Sequence, residues 1–392
     1  MIGSFDPRQI FSRRSVRWYA VDWHILFVAL ILVTIGLVLQ RSMDAAEPLR
    51  MAGGVDYAGH KKKVLLTLPL VALGMCLRPG WLRAHARFLY VLSLMLVAAV
   101  WVVGVERNNA RRWIPVPGFD LQPSELAKLG LTLMLAAMLA KNRFEQLSDT
   151  FWPLVALVIP LGMVAAQPDL GTALTLVPIT LGLLYLAGAS GTRIATLVVT
   201  GALVGWTAHS AGLVQDYQLR RVETWAASFD PETLVDEKHG PAYHTYQARV
   251  VIGNGSLWGR GLGNGVANEV RHLPERDSDS VFAVVAEEFG WFGAVGLIAL
   301  YALLPILLLI SAARQRDRFS RLVVGGVALY FGCHLVIHIA VNVGMLPMTG
   351  LTLPFLSAGG SSLLASFLAL GVALGLAAHH ERALDADAFR PY

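Results

Sequence analysis

The amino-acid sequence predicts an all-α, polytopic membrane protein, a bundle of about ten transmembrane helices with one large extracytoplasmic loop. Hydrophobic residues make up 55% of the 392-residue chain. Charged residues make up only 15%, whereas a soluble domain carries about 25%. The chain is therefore too poor in charge to be a soluble enzyme or a disordered protein. Its two cysteines, Cys76 and Cys333, lie in apolar runs, which argues against a disulfide scaffold.

Ten runs of mostly apolar residues are candidates for the spans, because a bilayer core about 30 Å thick needs roughly 17–25 such residues per helix. The runs cover residues 24–40, 64–78, 88–105, 124–140, 151–166, 172–188, 193–211, 289–312, 322–343 and 361–378. Only helices or closed barrels satisfy the backbone in lipid. We therefore expect one helical bundle and a single integral membrane domain over residues 1–392.

The basic residues of the short connections predict the orientation of this bundle. With the N-terminus inside, the inner segments carry more Lys and Arg than the short outer loops, which matches the positive-inside rule. Both termini are therefore predicted to be cytoplasmic. The run Lys61–Lys63 lies on the predicted outer side and opposes this assignment. The net charge of +5 indicates lipid headgroups rather than nucleic acid as the anionic partner.

One connection is much longer than the others. Residues 212–288 lie between the seventh and eighth spans on the predicted outer side. Connections longer than about 15 residues are usually functional or disordered. Aromatic residues such as Trp225, Tyr246 and Trp258 recur in this segment, which favours an ordered external element.

Four polar clusters lie at the ends of spans, all on the predicted outer face, where polar groups are by default functional candidates. The first joins Arg111 and Arg112 to Glu125 and Lys128. Glu125 and Lys128 are three residues apart, so they share a helix face and can form a local ion pair beside interfacial arginines. Alternatively, the cluster lines a pocket for an anionic headgroup, since paired arginines suit phosphate or diphosphate.

The next two clusters contain acidic residues at helix starts. Asp169 precedes the sixth span and can cap it, or it can also face a cavity. Asp277 and Asp279 precede the eighth span and can act as caps. They can equally supply a general base or a ligand for a divalent cation.

The fourth cluster is the stretch 352–362, whose Gly and Ser residues before the last span include Ser361. It is either a turn with a serine cap or a set of backbone amides offered to an anion. Two other patterns are weaker. His334 and His338 share a helix face and favour a buried, hydrogen-bonded pair over a metal site, and the glycine-rich segment 255–265 lacks the context of a nucleotide-binding loop.

Taken together, these segments resemble the shape, elongation, division and sporulation (SEDS) family of membrane proteins. The resemblance rests on ARRW at 110–113, QPSELAK at 122–128, QPDLGTAL at 167–174, LPERDSDSVFAVVAEEFGWFGA at 273–294 and GMLPMTGLTLPFLSAGGSSLL at 344–364. The family also has ten spans with a large external loop between the seventh and eighth. Some motifs are similar to the division branch (FtsW) and others to the elongation branch (RodA), and we favour the division branch.

The resemblance implies a peptidoglycan glycosyltransferase. Such an enzyme polymerises lipid II, the undecaprenyl-diphosphate-linked disaccharide-pentapeptide, into glycan strands for septal or elongation wall synthesis. The family's essential aspartate, in its His-Thr-Asp-Phe-Ile-Phe motif, corresponds to Asp279 within Asp277-Ser-Asp-Ser-Val-Phe282. Ala358 stands where the family has tyrosine.

The implied site has one catalytic residue and a set of substrate-binding residues. Asp279 is expected to be the base of an inverting transfer, directly or through a divalent cation such as Mg or Mn, with no organic cofactor. The substrate-binding residues are expected to be Arg111, Arg112, Glu125, Lys128, Asp169 and Ser361.

The resemblance also implies a location and partners. The protein is expected in the bacterial cytoplasmic membrane, with a class B penicillin-binding protein as transpeptidase partner and other divisome or elongasome membrane proteins nearby. Two alternatives stay open, a lipid II flippase and a non-catalytic scaffold for the transpeptidase. The sequence lacks the internal symmetry found in many transporters, which weighs against the flippase.

Overall fold

The computed structural model describes residues 18–45, 55–107, 110–116, 119–142, 144, 148–212, 216–229, 241–266, 273 and 275–379, and most of them are helical. A 3-10 turn at Trp18–Ala20 precedes the first helix. The α-helices are α1 (Trp23–Ala45), α2 (Tyr57–Thr67), α3 (Pro69–Met75), α4 (Pro79–Val103), α5 (Pro123–Leu139), α6 (Ser148–Ala165), α7 (Leu170–Leu186), α8 (Gly191–Ser210), α9 (Asp216–Ala227), α10 (Pro241–Asn254), α11 (Val281–Arg314), α12 (Arg318–Asn342) and α13 (Gly360–Ala378). The strands are β1 (Val105–Arg107), β2 (Ala110–Val116) and β3 (Phe119–Leu121).

The prediction of a polytopic helical membrane protein is confirmed. Each of the ten predicted spans falls on a described helix, or on the pair α2–α3 in the case of residues 64–78. By length and composition, α1, α4, α11, α12 and α13 are apolar enough to cross a membrane. Apolar parts of α6 and α7 are shorter. The number of crossings stays a prediction.

The helices begin where the sequence supplies caps or prolines. Proline lacks a backbone N–H and suits the first turn of a helix, where that group has no partner. Pro69, Pro79 and Pro123 start α3, α4 and α5 in this way. Side-chain oxygens of Asp56, Asp169, Ser190 and Asp317 accept the amide three residues on, and so cap α2, α7, α8 and α12.

The core of the bundle is formed around α12 and α13. Helix α12 packs against α5, α7, α11 and α13. Helix α13 also packs closely on α3, because glycines let the two backbones touch. A β-carbon on Gly371 would lie 2.3 Å from the carbonyl oxygen of Val71, so no larger residue fits there.

The last residues of the predicted long loop are helical. The predicted loop includes residues 281–288, which form the first part of α11, before its kink, and are all buried. The helix breaks at Gly290 (φ 69°), which is the point where the apolar run begins. Periodicity of apolar residues located the second half of the helix and missed the first, which contains Glu287 and Glu288.

The glycine-rich segment 255–265 covers this break in α11. Amides of Arg260 and Gly261 donate to the carbonyls of residues 287 and 288, and the amide of Trp291 donates to the carbonyl of Ser256. A β-carbon on Gly259 would lie 2.2 Å from the carbonyl oxygen of Glu288. The glycines therefore serve close backbone packing, and the segment supplies hydrogen bonds that a broken helix lacks.

The loop between α8 and α11 contains ordered structure, as its aromatic residues predicted. It forms α9 and α10, and α10 packs against α11. Arg221 and Trp225 of α9 donate to the carbonyls of Met348 and Gly344, at distances of 2.7 Å and 2.7 Å. The loop is thus fastened to the segment between α12 and α13. Its external location stays a prediction.

The all-α prediction missed a small antiparallel sheet. Strands β1, β2 and β3 are adjacent in that order and connect α4 to α5. The register pairs Val105 with Trp113 and Ile114 with Leu121. The strands are short, and the apolar run of the preceding span continues into β1, so the sequence pattern resembled a helix end followed by a loop.

Candidate active site

A polar cavity of about 330 Å³ lies where the ends of several helices meet the sheet. It is lined by Lys63 of α2, residues within 112–122 of the sheet and its exit, Glu275, Ser278, Asp279, Gly350, Thr352 and residues 358–362. Three of the four predicted clusters contribute lining residues directly. The remaining cluster, around Asp169, contacts two of the lining residues, Arg112 and Gln122. The prediction that the clusters share one face of the bundle is confirmed.

Asp279 belongs to a tight turn, residues 275–280, that leads into α11. Glu275 adopts a left-handed backbone conformation (φ 47°), and its carbonyl accepts the amides of residues 278, 279 and 280. Neighbouring segments hold the outward carbonyls of the turn. Gln40 and the amide of Ala358 donate to the carbonyl of Asp277, Ser357 donates to that of Ser278, and Asn342 donates to that of Asp279.

The carboxyl group of Asp279 carries a strongly shifted pKa. Burial, as the largest cause, together with the negative charges of Glu275 and Asp277 raises this pKa from 3.8 to about 7. The Arg112 guanidinium and a hydrogen bond from Ser278 act in the opposite direction. Burial and Glu275 also raise the pKa of Asp277. A carboxylate with a pKa near neutrality is suited to accept a proton at physiological pH.

The two predicted arginines point in different directions. They are consecutive residues of β2, and successive side chains of a strand lie on opposite faces. Arg112 lines the cavity, whereas Arg111 is exposed and donates to the carbonyl of Trp101 at 3.1 Å. The structure therefore brings Arg112 but not Arg111 into this cavity, and binding of an anionic headgroup by both arginines stays a prediction.

Asp169 caps α7, which is the first of the two roles left open for it, and supports the cavity wall without lining the cavity. Its Oδ1 accepts the amide of Thr172 at 3.2 Å, which caps α7, and lies 3.6 Å from the Arg112 guanidinium. Its Oδ2 accepts from Gln122 at 2.6 Å and from Ser124 at 3.1 Å. Asp169 is 3% exposed and lies behind Arg112 and Gln122 rather than among the lining residues. It orients Arg112 toward the cavity.

Ser361 lines the cavity and joins its walls. Its hydroxyl accepts the amide of Gln122 at 2.7 Å and donates to the carbonyl of Asp120 at 2.6 Å. The first turn of α13 is thereby attached to the end of β3. Next to it, a β-carbon on Gly360 would lie 3.1 Å from the side chain of Phe119, which keeps the two segments close.

Glu125 and Lys128 lie apart from this cavity. The Lys128 ammonium donates to Glu125 Oε1 at 2.7 Å, and both side chains are buried. Tyr330 donates to Glu125 Oε2 at 3.3 Å. Neither charged residue is among those that line the Asp279 cavity. The local ion pair, one of the two alternatives for this pair, is what the structure contains, and direct contact with a substrate stays a prediction.

Sequence reasoning missed Lys63 as a site residue. In the sequence, the run 61–63 bears only on the predicted orientation of the bundle, which it opposes. Lys61 and Lys62 are exposed, while Lys63 lines the cavity and its charge faces Asp277. A basic run beside a span on the predicted outer face was the available signal. Thr352 was also missed as a lining residue, although its segment was singled out.

The acidic residues of the cavity fit a divalent cation that also contacts a phosphate. Mg²⁺ is commonly held by one or two carboxylates together with substrate phosphates. Glu275 and Asp279 both line the cavity and supply such carboxylates. Across the described residues, no group of three or more His, Cys, Asp or Glu is arranged to hold a metal by itself.

Two relatives named as glycosyltransferases align with most of this chain. A probable peptidoglycan glycosyltransferase FtsW from Trichlorobacter lovleyi is 32% identical over 379 residues, covering 93% of this chain and 95% of the relative. The peptidoglycan glycosyltransferase MrdB of Escherichia coli is 35% identical over 337 residues, covering 84% of this chain and 88% of the relative. Similar identity to both names leaves the choice of branch open.

Solved structures agree with these alignments. One, described as structural coordination of polymerization and crosslinking by a peptidoglycan synthase complex, contains a chain with TM-score 0.77 and 32% identity, covering 94% of this chain and 100% of that one. The rod shape determining protein RodA of Thermus thermophilus has TM-score 0.67 and 30% identity, covering 93% of this chain and 99% of that one. The profile of the FtsW, RodA and SpoVE family, described as "Cell cycle protein", matches residues 22–382. The chain therefore belongs to the FtsW, RodA and SpoVE family, the SEDS proteins.

Proposed function

We propose that this protein is a peptidoglycan glycosyltransferase that polymerises lipid II at the outer face of the bacterial cytoplasmic membrane. One observation carries the proposal beyond the names of its relatives. A single cavity joins Asp279, a carboxyl group with a pKa of about 7, to the cations of Arg112 and Lys63. A base and a cationic site for a diphosphate are the two elements that this transfer requires.

The reaction follows from these groups. The Asp279 carboxylate accepts the proton of the acceptor sugar hydroxyl. The hydroxyl oxygen forms a bond to the anomeric carbon of the donor sugar, and the bond from that carbon to the diphosphate oxygen breaks with inversion. Undecaprenyl diphosphate leaves with the electron pair. A diphosphate is a stable leaving group, so one carboxylate base is sufficient, in contrast to the two carboxylates of glycoside hydrolases.

Arg112 and Lys63 offset the negative charge that grows on the departing diphosphate. Asp169 and Gln122 hold Arg112 in position through the contacts described above. A divalent cation, if bound, would be held by Glu275 and Asp279 and would supply further charge neutralisation at the diphosphate. The Gly and Ser residues at 359–362 let the substrate approach the backbone closely.

We also propose a location and a partner for this reaction. Both termini lie in the cytoplasm, which puts the cavity on the outer side, where the predicted outer loops meet. A class B penicillin-binding protein is the partner that crosslinks the new strand. Similarity to a chain of a peptidoglycan synthase complex that coordinates polymerization with crosslinking supports this pairing.

The decisive experiment compares Asp279→Asn with Asp277→Asn in purified protein supplied with lipid II. Loss of the base should lower polymerisation by about 10²–10⁴-fold. Folding should be maintained, because burial disfavours the charge of Asp279 and asparagine is a neutral group of the same shape. Asp277 is not among the lining residues, so Asp277→Asn should still polymerise lipid II.

Three results would overturn the proposal. Full polymerisation by Asp279→Asn would show that Asp279 is not the base of the reaction. Movement of lipid II across reconstituted vesicles without polymer from the wild-type protein would favour a flippase. The third result is a protein that recruits the transpeptidase but neither polymerises nor moves lipid II, whether or not the transpeptidase and divalent ions are added. That result would favour a non-catalytic scaffold.

A further inference from the structure

Three polar side chains of α12 hold the backbone of the cavity walls. His334, His338 and Asn342 are spaced four residues apart, so they lie one above the other on one face of the helix. His334 Nδ1 donates to the carbonyl of Thr352 at 3.0 Å, and His338 Nδ1 donates to that of Leu351 at 2.8 Å. We call His334, His338 and Asn342 the polar ladder.

The third member of the polar ladder reaches the opposite wall. Asn342 Nδ2 donates to the carbonyl of Asp279 at 3.1 Å and to that of His338 at 2.8 Å. One helix face therefore holds both the 351–352 segment and the turn that carries Asp279. Gly350 is adjacent to the held segment, and a β-carbon there would lie 3.3 Å from Asp279 Oδ2, so the two walls are in close contact.

The hydrogen-bond partners determine the tautomer of each histidine. A carbonyl oxygen can only accept, so Nδ1 carries the proton in both rings. The Lys128 ammonium can only donate, and it lies 2.9 Å from His334 Nε2. His334 is consequently neutral, with a protonated Nδ1 and a lone pair on Nε2. No other protonation state satisfies both of its contacts.

His334 connects the buried ion pair to the cavity. Glu125 Oε1, Lys128 Nζ, His334 and the Thr352 carbonyl form one chain with contacts of 2.7, 2.9 and 3.0 Å. His334 is 0% exposed, and Lys128 is 1% exposed. Moving Thr352 would require His334 to abandon either the carbonyl or the ammonium, and a buried polar group left without its hydrogen bond is costly.

We propose that His334, His338 and Asn342 are positioning residues for the glycosyl transfer, and that His334 transmits the fixed position of the Glu125–Lys128 pair to the Thr352 wall. This inference rests on the proposed function, because it assigns the polar ladder to that reaction. The ladder does not touch the reacting atoms. It keeps Asp279 and the neighbouring 350–352 segment in a fixed relation while substrate binds in the cavity that both line.

Matched substitutions test the role in catalysis. In His334→Leu, His338→Leu and Asn342→Leu, the donors are lost, and kcat for lipid II polymerisation should fall by about 10²-fold, the effect of a displacement near 1 Å. KM should change less, because Arg112 and Lys63 are intact. His334→Gln should restore most of kcat, because its amide nitrogen can donate to Thr352 and its amide oxygen can accept from Lys128.

His85 is the control, because it also makes a hydrogen bond to a backbone carbonyl but lies away from the cavity. Its Nδ1 lies 3.0 Å from the Trp81 carbonyl on the exposed side of α4. His85→Leu should leave kcat unchanged. If the α12 leucine variants lower only the yield of folded protein, with normal kcat per folded molecule, or if His334→Gln fails to restore kcat, the positioning role is wrong.

A second measurement does not depend on polymerisation. Nitrogen-15 NMR of histidine-labelled protein, assigned with His334→Gln and His338→Gln, should show both rings protonated at Nδ1 only near pH 7. A cationic ring or a proton on Nε2 at either position would overturn the inference. If the tautomers are as expected while the wild-type protein makes no polymer, the proposed function fails and the polar ladder stands as a structural element.

Discussion

Two clusters of this protein pair acidic with basic side chains, yet their environments differ. In the Glu125–Lys128 cluster, each charged group is buried and contacts a partner of opposite charge or a hydrogen-bonding side chain. In the Asp279 cavity, three carboxylates share an open polar space with Arg112 and Lys63, and they belong to Asp120, Glu275 and Asp279. In the first cluster, every charged group already has its partners within the protein. In the second, the charged groups line a cavity and are available to a ligand.

The difference shows how position decides the use of the same residue types. Glu125 and Lys128 lie within α5, three residues apart, and meet each other before any substrate can reach them. Asp279 and Arg112 come from a turn and a strand that are far apart in the sequence. Their charges affect each other across the cavity, where burial raises the pKa of Asp279. The Asp279 carboxyl group can therefore still exchange a proton with a ligand, whereas the Glu125–Lys128 pair holds the helices around it in place.

The largest expected effect is on stability, from Lys128→Met. This change leaves the Glu125 charge buried without its cation, which typically costs about 3–5 kcal/mol. The double variant Glu125→Gln/Lys128→Met should regain most of that loss, because no uncompensated charge is left. Unfolding by SDS titration in detergent micelles measures both. An exposed ion pair typically contributes less than about 1 kcal/mol to stability. A loss of that size in Lys128→Met would contradict the burial of the Glu125–Lys128 pair.

The next effect separates the two arginines of β2. Arg112→Gln should lower kcat/KM for lipid II by about 10²-fold, because it removes a cation that opposes the leaving diphosphate. Arg111 lies one residue away, on the opposite and exposed face of β2, so Arg111→Gln should leave kcat/KM unchanged. Asp169 keeps its contacts with Gln122 and Thr172 in both variants, so folding should be maintained. Equal losses from the two variants would show that the strand does not divide their roles.

The smallest effect concerns the pH dependence of the reaction. Asp279 must be deprotonated to act as a base, so kcat/KM should fall as the pH decreases through about 7, the pKa of Asp279. Glu275→Gln removes a negative charge that raises this pKa, so the acid limb should move to lower pH. The change should stay below the roughly 1.4 kcal/mol that one pKa unit represents.

Ser278→Ala is the opposite control for that measurement. Its hydrogen bond lowers the pKa of Asp279, so its removal should move the acid limb to higher pH. Shifts of the same sign in Glu275→Gln and Ser278→Ala would mean that the limb reports another group.

The sequence by itself determined the class of the protein, the place of nearly every helix and the identity of the polar clusters. Long apolar runs can only be satisfied in lipid as helices, so hydropathy was sufficient for α1, α4, α12 and α13. Caps such as Asp169 and prolines such as Pro123 marked helix starts for a local reason. These features depend on residues close in the chain.

Only the tertiary structure decided which polar residues share a cavity. Arg111 and Arg112 lie on opposite faces of β2, and this strand forms only through pairing with β1 and β3. Lys63 reaches the site from α2, which is far from β2 in the sequence. The role of His334 depends on Lys128 and Thr352, which lie on two other segments. Hydropathy and capping act over a few residues, whereas charge and hydrogen bonding in the site depend on contacts across the whole bundle, and no local pattern encodes those contacts.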